Sequence, residues 1–357
     1  MGDIELGVLH GDGIGAEIVP ATVKVVDAAL AAAGARPIGW HELPYGRAAI
    51  DTHGDALPAE TVDALATMPG WILGPHDNAG YPAEHRARTA PGGRIRKQFG
   101  LYANIRPAAA LPGIRALRPD LDVVIVRENT EGFYADRNMA VGSGEFKPTN
   151  DVALAVGVFT RPACERIARV ACELAMTRRK RLTIVHKANV LPLSMGMFLD
   201  ACREVASEHP GLHVDDEHVD AMAAHLVRGG DFDVIVAENM LGDILSDLAG
   251  ELSGSLGLAA SLNASDTQAM AQAAHGAAPG IAGRNRANPT ALFLSAALLL
   301  EWLAGQRADH RLNDAAHRIR HAISTTLASG VATADLGGLA STSEFTELVL
   351  ARVGRRG

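Results

Sequence analysis

Two aspartates four residues apart, Asp243 and Asp247 in NMLGDILSDLAGEL, stand one helical turn from each other, so both carboxylates project from one face of a helix. Like charges at this spacing destabilise an isolated helix by roughly 0.2–0.5 kcal/mol unless a bound cation offsets the repulsion. Asp243 has an ordinary explanation as an anion near a helix start. Asp247 has none. Carboxylate oxygens with no cysteine nearby select a hard ion, Mg²⁺ or Mn²⁺, over zinc. Just upstream, HVDDEHVDAMAAH offers His213, His218, Asp220 and His225, but their spacing fits no paired-ligand zinc pattern.

Arginines form the second group. GGRIRKQFGLYANIRP carries Arg94, Arg96 and Arg106, and Arg127 ends the apolar run LDVVIV. Guanidinium forks bind carboxylates bidentately, so three or four converging suit a di- or tricarboxylic acid, whereas each alone is an ordinary surface cation. Lys187 directly follows the apolar run RLTIVH, where burial and cationic neighbours lower an ammonium pKa towards general-base use. Tyr134 in ENTEGFY is a candidate proton donor for the same site, although a tyrosine capping a core is the usual case. Two glycine loops remain. GDGIG (11–15) spaces its glycines as GxGxG rather than GxGxxG and lacks the acidic partner about 20 residues on, which weakens a dinucleotide fingerprint. HGAAPGIAGRNRANP (275–289) lets backbone approach a flat ligand closely, and equally fits a packed turn.

These groups need a scaffold. Apolar runs at 4–9, 70–74, 121–126, 181–186 and 232–237 predict strands covered on both faces, as in α/β sheets. Several end in charged or amide residues (Arg127 and Glu128, Lys187 and Asn189, Glu238 and Asn239), and ligands in open α/β sheets bind beyond strand carboxyl ends. TRPACERIARVACELAM predicts a helix with Pro162 in its first turn and Ile167, Val170, Ala171, Leu174 and Ala175 on one face.

Composition narrows the class. The 357 residues suit two domains, and 48% hydrophobic with 21% charged residues describes a globular chain. A net charge of −8 without a basic tail argues against nucleic acid or an anionic membrane as partner. The basic run at 178–181 follows a helical pattern and reads as a solvated helix terminus. Cys164, Cys172 and Cys202 form no CxxC pair, so structural thiols in a reducing compartment are expected. No signal-peptide order and no membrane-length apolar run is present, which predicts a cytoplasmic protein.

Taken in order, GDGIG, RKQFGLYANIRP, VRENTEGFY, VHKANVL, VDAMAAHLV, NMLGDILSD, GSLGL, HGAAP with IAG and ANP, and DLGG resemble the β-decarboxylating dehydrogenases over nearly the whole chain. That family includes isopropylmalate, isocitrate, homoisocitrate and tartrate dehydrogenases. The resemblance implies oxidation of a (2R)-malate with a 3-substituent by NAD or NADP, followed by loss of the β-carboxylate. It implies Arg96, Arg106 and Arg127 as the malate clamp, with Arg94 added as a further substrate contact. It makes Lys187 the base and Tyr134 the acid that protonates the enol. Asp243 and Asp247 become ligands of Mg²⁺ or Mn²⁺, with Asp220 and Lys187 reaching the site from the second subunit of a homodimer. The cofactor falls to His275, Gly276, Ala278, Gly280, Ile281 and Asn288, with Asn189 by the nicotinamide and Ile14 of the GDGIG turn alongside. The implied fold is not a standard Rossmann fold. Residues 1–101 and 259–357 make a large α/β domain, and residues 102–258 make a smaller central domain with the dimer interface and a β clasp.

Departures from the family pattern bear on specificity. Gly280 stands where NAD-using members commonly have Asp and NADP-using members Lys, while Ile281 and Ala287 fit the NAD pattern and Arg284 and Arg286 lie close by. Gln272 replaces a common Glu. Gly92 and Gly93 replace the leucines that often hold an isopropyl group, and together with Arg94 they predict a polar or acidic 3-substituent, or a hydroxyl as in tartrate. A non-catalytic regulatory subunit on the same fold is the alternative, and the presence of Lys187, Tyr134, Asp220, Asp243 and Asp247 favours the enzyme.

Overall fold

Each unbroken apolar run becomes a strand. The computed structural model describes residues 3–86, 89–134, 136 and 139–354. Its strands are β1 (Ile4–Leu9), β2 (Ile38–Glu42), β3 (Gly70–Leu73), β4 (Ala103–Ala109), β5 (Asp122–Glu128), β6 (Glu145–Thr149), β7 (Val152–Ala155), β8 (Arg181–His186), β9 (His213–His218), β10 (Val234–Ala237), β11 (Leu262–Ala264) and β12 (Ala269–Gln272). One ten-stranded sheet runs in the order β2-β1-β3-β12-β11-β4-β5-β10-β8-β9. The sheet is mixed. β2, β1, β3 and β12 are parallel neighbours, and so are β5, β10, β8 and β9. Between them β12–β11, β11–β4 and β4–β5 are antiparallel pairs. The two parallel blocks therefore run in opposite directions, and their strand ends emerge on opposite edges of the sheet.

The interior divides along the chain. Residues between Ile4 and Ile72 join residues between Leu258 and Val353 in the largest apolar cluster, and a smaller one joins Leu9, Tyr45, Trp71, Leu101 and Met270. Two further clusters draw only on residues from Ala103 to Leu252. The helix Arg161–Thr177 forms as its pattern predicts, with the Thr160 hydroxyl accepting from the Ala163 N–H. Its buried face is turned towards the small residues Ala163, Cys164, Ala168 and Cys172, with Val170 and Leu174 left at the margin. All three cysteines are buried free thiols, and burial pushes Cys164 up to about 12 and Cys172 up to about 11. The basic run differs from expectation. Arg178 Nε donates to Asp233, a fully buried carboxylate, at 2.6 Å, and Arg179 pairs with Asp122 at 2.6 Å. A buried carboxylate needs such partners, so this run holds the start of β10 in place.

GDGIG is a tight turn whose amides are already engaged. Ile14 N–H donates to the Ala277 carbonyl at 2.9 Å, and Asp12 N–H donates to the Pro75 carbonyl at 2.7 Å. A Cβ on Gly13, whose φ is +56°, would lie 2.0 Å from the Ala277 oxygen. The glycine thus permits close approach of the first helix (Gly15–Ala33) to the 275–281 loop.

Candidate active site

The register of β4 on β5 builds the floor of the site. Arg106 lies opposite Ile125, and Asn104 opposite Arg127. Because side chains two apart on a strand share a face, Arg106 and Arg127 sit diagonally on one face of the sheet. The helix Asn239–Leu252 covers that face, capped by Glu238, which accepts from the Leu241 N–H at 2.8 Å. Burial pushes the Glu238 carboxyl up. Gly242 makes the close packing possible, since a Cβ there would fall 2.7 Å from Cβ of Arg127.

Asn239, Asp243, Ser246 and Asp247 then meet the two guanidiniums from one helix face. Arg127, 1% exposed, forks onto Asn239 Oδ1 from Nε at 2.9 Å and Nη2 at 2.7 Å, while its Nη1 donates to Asp243. Arg106 Nη1 donates to Ser246 at 2.7 Å and lies 3.1 Å from both Asp243 and Asp247. Tyr134 donates its hydroxyl to Asp243, with the Arg127 guanidinium 5.0 Å from its ring centre. Burial raises the Asp243 carboxyl, but Arg127, Arg106, Tyr134 and Arg96 outweigh it and hold the group below its usual range. Burial raises Asp247, and the Asp243 charge adds to the rise, leaving it above its usual range. Arg106, Arg127 and Tyr134 thus all reach the Asp243 carboxylate, and Asp247 joins them at the rim through Arg106.

Arg96 and Arg94, two apart on the helix Pro91–Gln98, part ways. Arg96 donates to Gln272 Oε1 at 2.9 Å and acts electrostatically on Asp243. Arg94 forks onto Asp55 at 2.6 and 3.1 Å and donates to the Leu57 carbonyl at 3.3 Å. Its guanidinium is thereby turned away from the cluster into an internal ion pair.

Lys187 and Asp220 form a separate pair. Lys187, just past β8, donates to Asp220 at the start of the helix Val219–Arg228. The ammonium holds the Asp220 carboxyl below its usual range. The neighbour that Lys187 meets within the chain is therefore a carboxylate, where the sequence predicted cations. Among the described residues no three His, Cys, Asp or Glu side chains gather as a metal site. The oxygen-only pair Asp243 and Asp247, with Asp247 half exposed, still fits part of the shell of a hard cation.

The 275–288 loop lines a cleft of about 590 Å³. Ile14, His275, Gly276, Ala278, Ile281 and Asn288 all face it, together with Arg286 and Asp335. Burial pushes the His275 imidazole down, and its Nε2 is buried without a hydrogen-bond partner, a group that a ligand would satisfy. Asn288 Nδ2 donates to Asp335 at 2.9 Å. Gly280 and Asn189 are exposed and are not in this lining.

The sequence marked Asn239 only as an amide at a strand end, and it gave no role to Asn263 or Asp12. Asn239 orients Arg127, and its place one turn before Asp243 was the available signal. Asn263 accepts from Asn104 at 3.1 Å and from Asn129 at 3.0 Å, tying β11 to β4 and to the end of β5. Asp12 accepts from the backbone of Arg47 and Asp77 and from the Tyr81 hydroxyl, at 2.7, 2.8 and 2.6 Å.

A cleft suited to a flat ligand, together with guanidiniums suited to carboxylates, is what a dehydrogenase of small organic acids requires. Sequence similarity makes the class specific: the family model "Isocitrate/isopropylmalate dehydrogenase" matches residues 5–349, and the chain belongs to that family. It is 43% identical over 349 residues to an isocitrate/homoisocitrate dehydrogenase of Thermus thermophilus, covering 96% of each chain. A 3-isopropylmalate/3-methylmalate dehydrogenase of Methanocaldococcus jannaschii is 39% identical, covering 97% of this chain and 98% of the relative. The crystal structure of isocitrate dehydrogenase from Methylococcus capsulatus superposes with a TM-score of 0.87 at 36% identity, covering 99% of this chain and 100% of that one. The protein is a dehydrogenase of a family that acts on CH–OH groups with oxidative decarboxylation.

Proposed function

We propose that this enzyme converts a (2R)-malate bearing a 3-substituent to a 2-oxo acid and CO₂, using NAD and Mg²⁺ or Mn²⁺. The observation that carries this reading is the meeting of Arg106 and Arg127 with Asp243 and Asp247. It sets carboxylate-binding forks beside carboxylates that suit a hard cation. Arg96, Arg106 and Arg127 hold the malate carboxylates, Lys187 takes the hydroxyl proton, and Tyr134 returns a proton to the enol carbon. When bound, the cation lowers the hydroxyl pKa and stabilises oxyanion charge, and the nicotinamide accepts the hydride. The adenosine half of NAD fits the cleft at His275, Ile281 and Asn288.

The complete site needs two subunits. Asp243 and Asp247 of one chain are completed by Asp220 and Lys187 of the partner subunit in a homodimer. Support comes from the β6–β7 hairpin, exposed on both faces with Phe146, Val152 and Leu154 uncovered. A lone two-stranded ribbon buries too little to stand by itself, so a clasp with a second copy accounts for it. The apolar clusters support the division into residues 1–101 with 259–357 and residues 102–258. No described helix is long and apolar enough to cross a membrane; a cytoplasmic location completes the proposal.

The test is a panel of isopropylmalate, isocitrate, homoisocitrate, tartrate and malate, each with NAD and NADP and with and without a chelator. Metal-requiring reduction of the nicotinamide with release of CO₂ is expected for one or more acids. Turnover that survives chelation overturns the metal role, and cofactor binding without any turnover favours a regulatory subunit. Asp247→Asn removes one negative charge from the pair, and the Mn²⁺ concentration for half-maximal rate is expected to rise at least about tenfold. An unaltered Mn²⁺ titration removes Asp247 from the ligand set.

A further inference from the structure

His186, the last residue of β8, is only 3% exposed and directly precedes Lys187. Both of its ring nitrogens are engaged. Ala188 donates its N–H to Nδ1 at 3.0 Å, and because a backbone N–H can only donate, Nδ1 is the acceptor. The proton of the neutral ring is therefore on Nε2, which donates to Asp216 Oδ2 at 3.2 Å. Arg203 donates to the other oxygen of that carboxylate. Burial raises the Asp216 carboxyl, but Arg203 and His186 outweigh it and hold the group below its usual range.

These bonds fix the chain on both sides of Lys187. The residue before it and the amide after it are joined through the imidazole, and the Lys187 carbonyl accepts from the Val190 and Leu191 N–H groups at 3.0 and 2.9 Å. The parallel register sets His186 opposite His218, with Asp216 two residues earlier on the same face of β9. The two imidazoles meet edge to face at 5.2 Å. His218 is the N-cap of the helix Val219–Arg228, which carries Asp220. One buried side chain thus touches both elements from which the Lys187–Asp220 pair is built.

We propose that His186 is a positioning residue for the general base, its Nδ1 fixing the turn that aims Lys187 while Asp216, tethered by Arg203, fixes the ring. It acts through the backbone of Lys187 and takes no part in the proton transfer itself. The Lys187–Asp220 pair then reaches the partner's site as one preset unit rather than as two independent side chains. This inference rests on the reading of Lys187 as the base.

The test divides the two ring bonds between two variants, with kcat and KM measured on the acid of the substrate panel that turns over fastest. His186→Asn keeps an acceptor for an N–H two residues on, the geometry of an Asx-turn. His186→Gln keeps a donor reaching towards Asp216 but leaves the Ala188 N–H without its acceptor. His186→Leu removes both. In His186→Leu and His186→Gln kcat is expected to fall about 10- to 100-fold, the scale of a misplacement of about 1 Å, with KM within about threefold of the wild type. His186→Asn should recover most of the rate. Thermal melting of the same preparations establishes folding, and the contrast between His186→Asn and His186→Gln decides the matter even where His186→Leu does not fold. Adding His186→Leu to Lys187→Met should lower the residual rate by less than about twofold, because residues that act as one unit are not additive. Equal losses in His186→Asn and His186→Gln, undiminished kcat in His186→Leu, or a full further loss on top of Lys187→Met overturns the positioning role and leaves the base in place. A wild type inactive on every acid, or Lys187→Met with wild-type turnover, overturns the base reading and this inference with it.

Discussion

Lys187→Met is expected to lower kcat by about 10²- to 10⁴-fold, the contribution of a positioned general base, while the protein stays folded and keeps its oligomeric state. Nothing in the packing opposes a separation of activity from folding. The Lys187 side chain is 27% exposed and pairs with the more exposed Asp220, and surface ion pairs contribute little to stability. Lys187→Arg sharpens the test by keeping the cation, so a loss of the same size would assign the defect to proton transfer rather than charge. Steady-state rates, gel filtration and thermal melting on the same preparations decide it. Undiminished turnover in either variant would remove Lys187 from the mechanism.

Arg127→Lys is expected to lower kcat/KM at least about 100-fold and also to destabilise the fold. Arg127 is buried, and its planar fork makes two bonds to Asn239 while a third nitrogen reaches Asp243. Lysine keeps the charge but cannot reproduce that geometry, and each buried polar group left without its partner costs about 1–3 kcal/mol. The losses should appear as a raised KM, because a carboxylate-binding group acts on the bound substrate as well as on the transition state. Urea denaturation and substrate titration measure the two effects on one sample. A variant with wild-type KM and midpoint would show that Arg127 neither binds substrate nor braces the covering helix.

Much of this arrangement was legible in the chain, for reasons that differ by residue. β1 and β8 were readable because uninterrupted apolar runs leave little choice of structure. Asp243 and Asp247 were readable because helical spacing is local. The meeting of Arg106 with Arg127 was not readable from pattern, since it depends on a register between β4 and β5 that no local signal fixes; family likeness supplied it. Arg94 misled for the same reason. Its charge is visible in the sequence, but the Asp55 that engages it lies 39 residues away.

The split interior has a consequence for how the chain is made. β3 pairs with β12, almost two hundred residues later, and the apolar cluster that holds β1 is completed by residues from Leu258 onward. During synthesis the first hundred residues must therefore wait while the segment from Ala103 to Leu252, whose clusters are its own, emerges and collapses. At about 5–20 residues per second that wait lasts on the order of 8–30 s. Through it, β3 stands with the edge that β12 will pair still open, while β1 is already flanked by β2 and β3.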